Sequence, residues 1–337
     1  LQTSGRSCQR RMILRLGVAN SLGLVSGTVA VSLVGCVPSI QGRTSQDRLP
    51  ELIWGRRGLS DGRFIKPRAI AIDSDDQLYI VDTTRRIQVF DEDGQFLLNW
   101  STPQIENGKP TGLAIQNSDN KLDQRLLVAD THYYRMLAYK LDGQLLEGKQ
   151  IGGTTGHQPG EFAFVTDAVC DAHGCYYIGE YNASDRIQKF APDGTFITQW
   201  GGNGTRPGQL FRPQSLVIRD EVLWVADACN HRIQRFDIRE ETPRLIDTWG
   251  SAGSGNGQFY FPYDLTIASD GTVVVVEYKN SRIQRFDPEG KWIATWGGPG
   301  FDPGQLNQPW GVAVDSQDRL HVLDSYNHRV QRLHLPS

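Results

Sequence analysis

Residues 227–237 read DACNHRIQRFD, setting an acid, a thiol, an imidazole and a guanidinium (Asp227, Cys229, His231, Arg232) within six positions. That is the mixture a metal site or an acid–base cluster uses. Two carboxylate pairings raise the same question. Asp167 and Glu180 lie 13 residues apart, and so do Asp264 and Glu277. If each pair opens the first strand and closes the second of one hairpin, its carboxylates lie near one another. They then share a proton, meet an arginine (Arg186 and Arg282 are at hand), or hold a hard cation such as calcium. Cys170 and Cys175 flank DAHG, which reads as a hairpin turn, so a disulfide between them is one reading for an exported chain. No CxxC pair, nucleophile elbow, phosphate loop or haem motif occurs.

The first cluster is not unique. It recurs as EYKNSRIQRFD (277–287), DSYNHRVQRL (324–333) and EYNASDRIQKF (180–190), and more loosely as DTTRRIQVFD (82–91) and DTHYYRMLAY (130–139). Its arginines, Arg86, Arg135, Arg186, Arg232, Arg282 and Arg329, are spaced by 49, 51, 46, 50 and 47 residues, each four to six positions after Asp82, Asp130, Glu180, Asp227, Glu277 or Asp324. Six copies of an acid–turn–arginine unit are a repeat, and the thiol and imidazole are not common to all of them. The stretch is structural.

Each unit reads as four strands. In 262–296, PYDLTIAS, TVVVVE, RIQRFD and KWIATW are separated by the turn signals DG, YKNS and PEG. Glycine-rich connections such as GGNGTRPGQLFRP (201–213) join the units. Four-stranded sheets that repeat this way bury their faces by stacking into a ring. The fourth strands end on Trp100, Ile151, Trp200, Trp249 and Trp296, but the sixth unit stops without one. ELIW (51–54) supplies the missing strand, with Trp54 in the matching place. The expected fold is an all-β, six-bladed propeller over residues 50–337, closed by its amino-terminal strand.

The G…PGxF…P entry and the D/E…NxRIQxF centre resemble NHL repeats, over about residues 50–334 and most strongly in blades 4, 5 and 6. Blade 2 departs most, through STPQIENGKPTGL and NSDNKLDQRL. The resemblance implies a channel lined by the innermost strands. It also implies a ligand face that carries the inter-blade connections and the turns after the second strands. The mouth residues on that face are Arg68, Thr111, Asp167, Gln214, Tyr263, Asp264 and Trp310, a polar and asymmetric ring suited to a small polar ligand or a peptide end. Asp167 and Asp264 equally suit loop caps. Some six-bladed relatives are zinc lyases whose histidines point into the channel. Here no histidine falls at the mouth; His132, His231 and His328 lie in turns, where local contacts are expected. The basic run GRRGLSDGRFIKPR (55–68) reads as a solvated loop, or as a surface for an anionic glycan, peptide carboxylate or lipid headgroup.

Net charge is −3, but the first 35 residues hold Arg6, Arg10, Arg11 and Arg15 and no acid, so the remainder stands at −7. That balance speaks against nucleic acid as a partner. Residues 1–35 read as a signal peptide. An apolar run at 16–35 ends in LVGC, which resembles a bacterial lipobox with lipid on Cys36, and RRMILR resembles a twin-arginine export motif. An uncleaved anchor helix is the alternative, since about 20 residues span a bilayer. Residues 36–49 read as a linker. Together these features predict an exported, membrane-anchored lipoprotein facing the periplasm or cell exterior. It is expected to act as a binding or assembly module for a protein, peptide or glycan on the connection-bearing face. The alternative is a metal-assisted lyase or hydrolase, akin to amidating lyases or lactonases, at the channel mouth. No cofactor is expected, with calcium or zinc left open at Asp167, Glu180, Asp264 and Glu277.

Overall fold

The computed structural model describes residues 49–335 apart from 105, 119 and 183. The readings on the leader, on Cys36 and on nearly all of the 36–49 linker lie outside them. Six antiparallel four-stranded sheets make the propeller. Their innermost strands are Pro67–Ile72, Gly112–Gln116, Phe164–Cys170, Pro213–Arg219, Pro262–Ile267 and Val312–Val314 for blades 1 to 6. Strand Leu52–Trp54 joins the edge of blade 6, with Leu52 opposite Arg332, Ile53 opposite Gln331 and Trp54 opposite Val330.

The sequence register holds around the ring. Trp100, Ile151, Trp200, Trp249 and Trp296 pair with Ile87, Met136, Ile187, Ile233 and Ile283, as Trp54 pairs with Val330. Between neighbouring blades lie six apolar clusters, one per interface among the described residues. The seam between blades 6 and 1 is as dry as the rest: Phe64, Phe90, Leu323 and Val330 are fully buried there, and Trp54 packs 4.6 Å from Phe90. Burying both faces of every sheet is what the ring achieves and what a single blade could not.

The recurrent cluster clasps the connections. In blade 4, Asp227 is fully buried; it accepts from Arg232 Nε (2.7 Å), Asn230 Nδ2 (2.8 Å), Gln234 Nε2 (3.0 Å) and the Phe211 amide (2.7 Å). The Arg232 guanidinium donates onward to the carbonyls of Thr205, Arg206 and Gln209 at 2.7–3.0 Å. Gln234 Oε1 accepts from Gly208, which holds φ +83, a conformation that glycine adopts without strain. Gln88, Gln188, Gln284 and Gln331 repeat that bond. Each of these five connections also drives a fully buried plug beneath it: Phe64, Phe162, Leu210, Phe259 or Leu306. Blade 2 carries Leu137 where the others carry the glutamine. Its Arg135 donates to Asp130 and to the side chains of Gln104 and Gln150 instead of to carbonyls. The departure seen in its sequence is a departure in its clasp.

Cys170 and Cys175 are free, so the disulfide reading is corrected. Cys170 stands opposite Tyr176. It packs into the cluster shared with blade 2, and Cys175 into the one shared with blade 4. The two thiols lie on opposite faces of one sheet.

Candidate functional site

All seven mouth residues predicted from the sequence (Arg68, Thr111, Asp167, Gln214, Tyr263, Asp264 and Trp310) line one cavity. Its volume is ≈ 20 Å³, room for about one ordered water. The cavity is too small for a chain to thread the axis here.

Asp167 and Asp264 sit where the first strand bulges, between Val165 and Asp167 in blade 3 and between Pro262 and Asp264 in blade 5. A bulge re-aims the side chain it carries. Asp167 turns to the next blade and accepts from the amides of Leu216 (2.9 Å) and Ala168 (2.9 Å). Asp264 accepts from the Val312 and Leu265 amides (both 2.9 Å) and from Ser215 Oγ (2.6 Å). Blades 3 to 6 are thus stapled at the axis. Desolvation pushes the Asp167 carboxyl up to about 8, with the negative charge of Asp264 adding to the rise, and Asp264 up to about 7.

Of the outcomes expected for the Asp–Glu pairs, the meeting with an arginine is the one the glutamates show. Glu180 and Glu277 belong to the clasps, where they accept from Arg186 and Arg282 and from the amides of Ala163 and Tyr260. The acid that influences Asp167 is Asp264, across the channel, and not Glu180. Among the described residues no group of three or more His, Cys, Asp or Glu side chains is placed to hold a metal.

The histidines act as predicted for local contacts. Nδ1 of His231 and His328 accepts from the amide that ends the next connection, at Phe261 (3.1 Å) and Lys66 (3.0 Å), and Nδ1 of His132 from the Lys109 amide (3.3 Å) in the connection that enters its own blade. Burial holds all three imidazoles below their ordinary range, which keeps that acceptor available. The basic run divides. Arg56 and Arg57 are exposed, whereas Lys66 lies 4.1 Å over the Tyr326 ring and Arg68 4.9 Å over Trp310.

Several residues near the mouth escaped the sequence reading, which reaches Lys66 only as part of the basic run 55–68. Lys66, Arg212, Phe261 and Gln308 each precede the proline that starts or adjoins an innermost strand, and each holds a positive φ between 47° and 62°. Such non-glycine backbones are costly and recur at functional sites. Tyr181 and Tyr278 follow the repeat acid directly, where blades 1, 2, 4 and 6 have Thr83, Thr131, Ala228 and Ser325. That exchange of small residue for tyrosine was the available signal. Tyr278 stacks on Tyr263 at 4.5 Å, Trp310 lies 4.9 Å from Tyr263, and Arg212 sits between Tyr181 (4.7 Å) and Tyr263 (5.2 Å).

The NHL repeat family matches residues 212–236 and 306–333, which take in two of the clasps described above. The chain carries NHL repeats on a six-bladed propeller. Among curated proteins, this NHL-repeat chain is 32% identical over 165 residues to the peptidylglycine alpha-amidating monooxygenase of Rattus norvegicus, a match covering 46% of this chain and 16% of that protein. It is 28% identical over 228 residues to NHL repeat-containing protein 3 of Mus musculus, covering 63% of this chain and 61% of that one. The match thus takes in less than two thirds of either relative's length. Solved structures of similar fold include a gluconolactonase from Xanthomonas campestris (TM-score 0.59, 16% identity, 82% of this chain and 88% of that one). A streptogramin B lyase is also similar (TM-score 0.54, 16% identity, 85% and 88%). At these identities the likeness is one of fold.

Proposed function

We propose that the protein is an exported, lipid-anchored binding or assembly module that takes a peptide, glycan or protein partner on the connection-bearing face. The observation that carries the reading is a division of labour among the side chains. Clasp residues are nearly uniform from blade to blade, whereas the mouth residues around the shared cavity vary, from Arg68 and Thr111 to Gln214, Tyr263 and Trp310, with an aspartate recurring in blades 3 and 5. Uniform positions serve the scaffold; those that break the repeat at a shared concavity suit recognition. The test is capture of partners from envelope extracts by the wild type and by Trp310→Ala. A partner lost with the variant supports the reading. No specific partner, together with product in a turnover assay, overturns it.

A second reading, a lyase or hydrolase at the same mouth, is supported by the similarity to the rat amidating enzyme. Asp264, Asp167, Tyr263 and Arg68 would take part, the raised carboxyls serving as proton donors near neutral pH. The two aspartates offer oxygen only, a donor type that suits calcium and not zinc. No step is derived through a metal.

A further inference from the structure

We propose that the channel mouth binds an oxyanion borne on a ring, such as a sugar acid or an aryl carboxylate, with Arg68 and Arg212 holding the anionic group. The proposal rests on the mouth-binding reading above and names its ligand class. The repeat arginines offer the contrast. All six are paired with an acid, at 3.5 Å or closer, and five of them, all but Arg135, are hydrogen-bonded to two or more backbone carbonyls. Arg68 has neither kind of partner among the described residues: its Nε is buried without an acceptor, and its one contact of note is the Trp310 ring. Arg212 makes a single side-chain hydrogen bond, Nε to Gln214 Oε1 at 2.8 Å, and otherwise lies against Tyr181 and Tyr263.

Two half-buried guanidiniums without a carboxylate are costly, and ring faces offset only part of that cost. The two are close enough to oppose each other's charge. Desolvation first, and then Arg212, lowers the Arg68 pKa, with nearby tyrosines opposing the fall. Among the described residues no acid stands ready to answer them. Asp167 and Asp264 are engaged by amides, and Asp185 accepts from the Arg212 amide and from Asn203. An incoming oxyanion meets planar donors that match its geometry. Beside it, Tyr278 and Trp310 are half-buried and meet at 5.5 Å and 73°, a corner of ring surface against which a flat ring or a sugar packs. The small cavity beneath prevents passage, so the anion is met at the end of the ligand and not along a threaded chain.

The experiment is calorimetric titration of the full chain with glucuronate, benzoate, glucose and inorganic phosphate, repeated on Arg68→Gln, Arg212→Gln and the exposed, off-mouth Arg206→Gln. Thermal unfolding is recorded for each variant to establish that it is folded. Saturable binding of glucuronate or benzoate, no binding of glucose, a loss of tenfold or more in both mouth variants and less than twofold in Arg206→Gln are expected. Preference for glucuronate identifies a sugar acid; preference for benzoate identifies an aryl acid. The inference is overturned if neither carboxylate saturates, if glucose binds as well as glucuronate, if phosphate alone binds, or if both mouth variants stay within twofold of wild type. Should the carboxylates fail while Trp310→Ala still abolishes partner capture, this inference falls and the binding-module reading stands.

Discussion

Replacing Arg232 by alanine tests whether the recurrent cluster is structural. The change removes the partner of a fully buried carboxylate together with three bonds to connection carbonyls. Breaking a buried ion pair from one side costs about 3–5 kcal/mol, because the remaining charge is left uncompensated. For a domain of this size roughly 2 °C of melting temperature accompanies each kcal/mol, so a fall of about 6–10 °C is expected. The sign of the pH dependence follows from Asp227. Burial already raises its pKa, and losing Arg232 raises it further. The folded variant then retains a proton that the unfolded chain releases near its usual carboxylate pKa, and its deficit widens as pH rises above that range. Urea and thermal melts followed by circular dichroism, at pH 5 and pH 8, measure both effects. Arg135→Ala is the internal comparison, since in blade 2 the guanidinium reaches no backbone carbonyl among the described residues, and about half the loss is expected there. Adding Asp227→Asn to Arg232→Ala should recover at least about 1 kcal/mol. A loss under about 1 kcal/mol, or one no larger than that of Arg135→Ala, refutes the clasp argument.

Other outcomes follow from the same geometry. The folded Asp167 and Asp264 hold protons up to about pH 8 and 7, whereas an unfolded aspartate releases its proton near 3.9. Stability therefore declines from about pH 4 up through pH 8; Asp167→Asn and Asp264→Asn flatten that slope in thermal melts. Trp54→Ala empties the space between Phe64 and Phe90; a cost of about 3 kcal/mol is expected in urea unfolding, and an unchanged midpoint would contradict the seam. In the lyase reading, any stoichiometric calcium that elemental analysis finds is abolished by Asp264→Ala. Calcium retained by that variant would remove Asp264 from the site.

The fold was legible because it is written six times. One unit such as 262–296 leaves its strand order ambiguous, but six arginines at near-constant spacing, and Trp54 isolated at the wrong end of the chain, fix both blade number and closure. The mouth was legible in part, since residues at one register position of the innermost strand must meet at the axis. What the spacing could not carry was side-chain direction. Thirteen residues separate Asp167 from Glu180 and do place them on neighbouring strands, yet the bulge between Val165 and Asp167 turns one to the next blade while the other stays with Arg186. Nor does sequence alone announce a positive φ at Arg212, although that backbone is what sets its guanidinium between two tyrosines. Spacing in a repeat tells which strand a residue is on; local kinks decide whom it meets.

Leu52 pairs with Arg332, 280 positions later in the chain. Leu52–Trp54, the first of the described strands, is thus the last to find its place. A growing polypeptide can stack blades 1 to 5 as they emerge, but the circle stays an open horseshoe with one unprotected rim until the final residues arrive. Removing the strand Arg329–His334 therefore harms blade 6 and the closing strand at once, and the slow step in assembly is the closure of the ring.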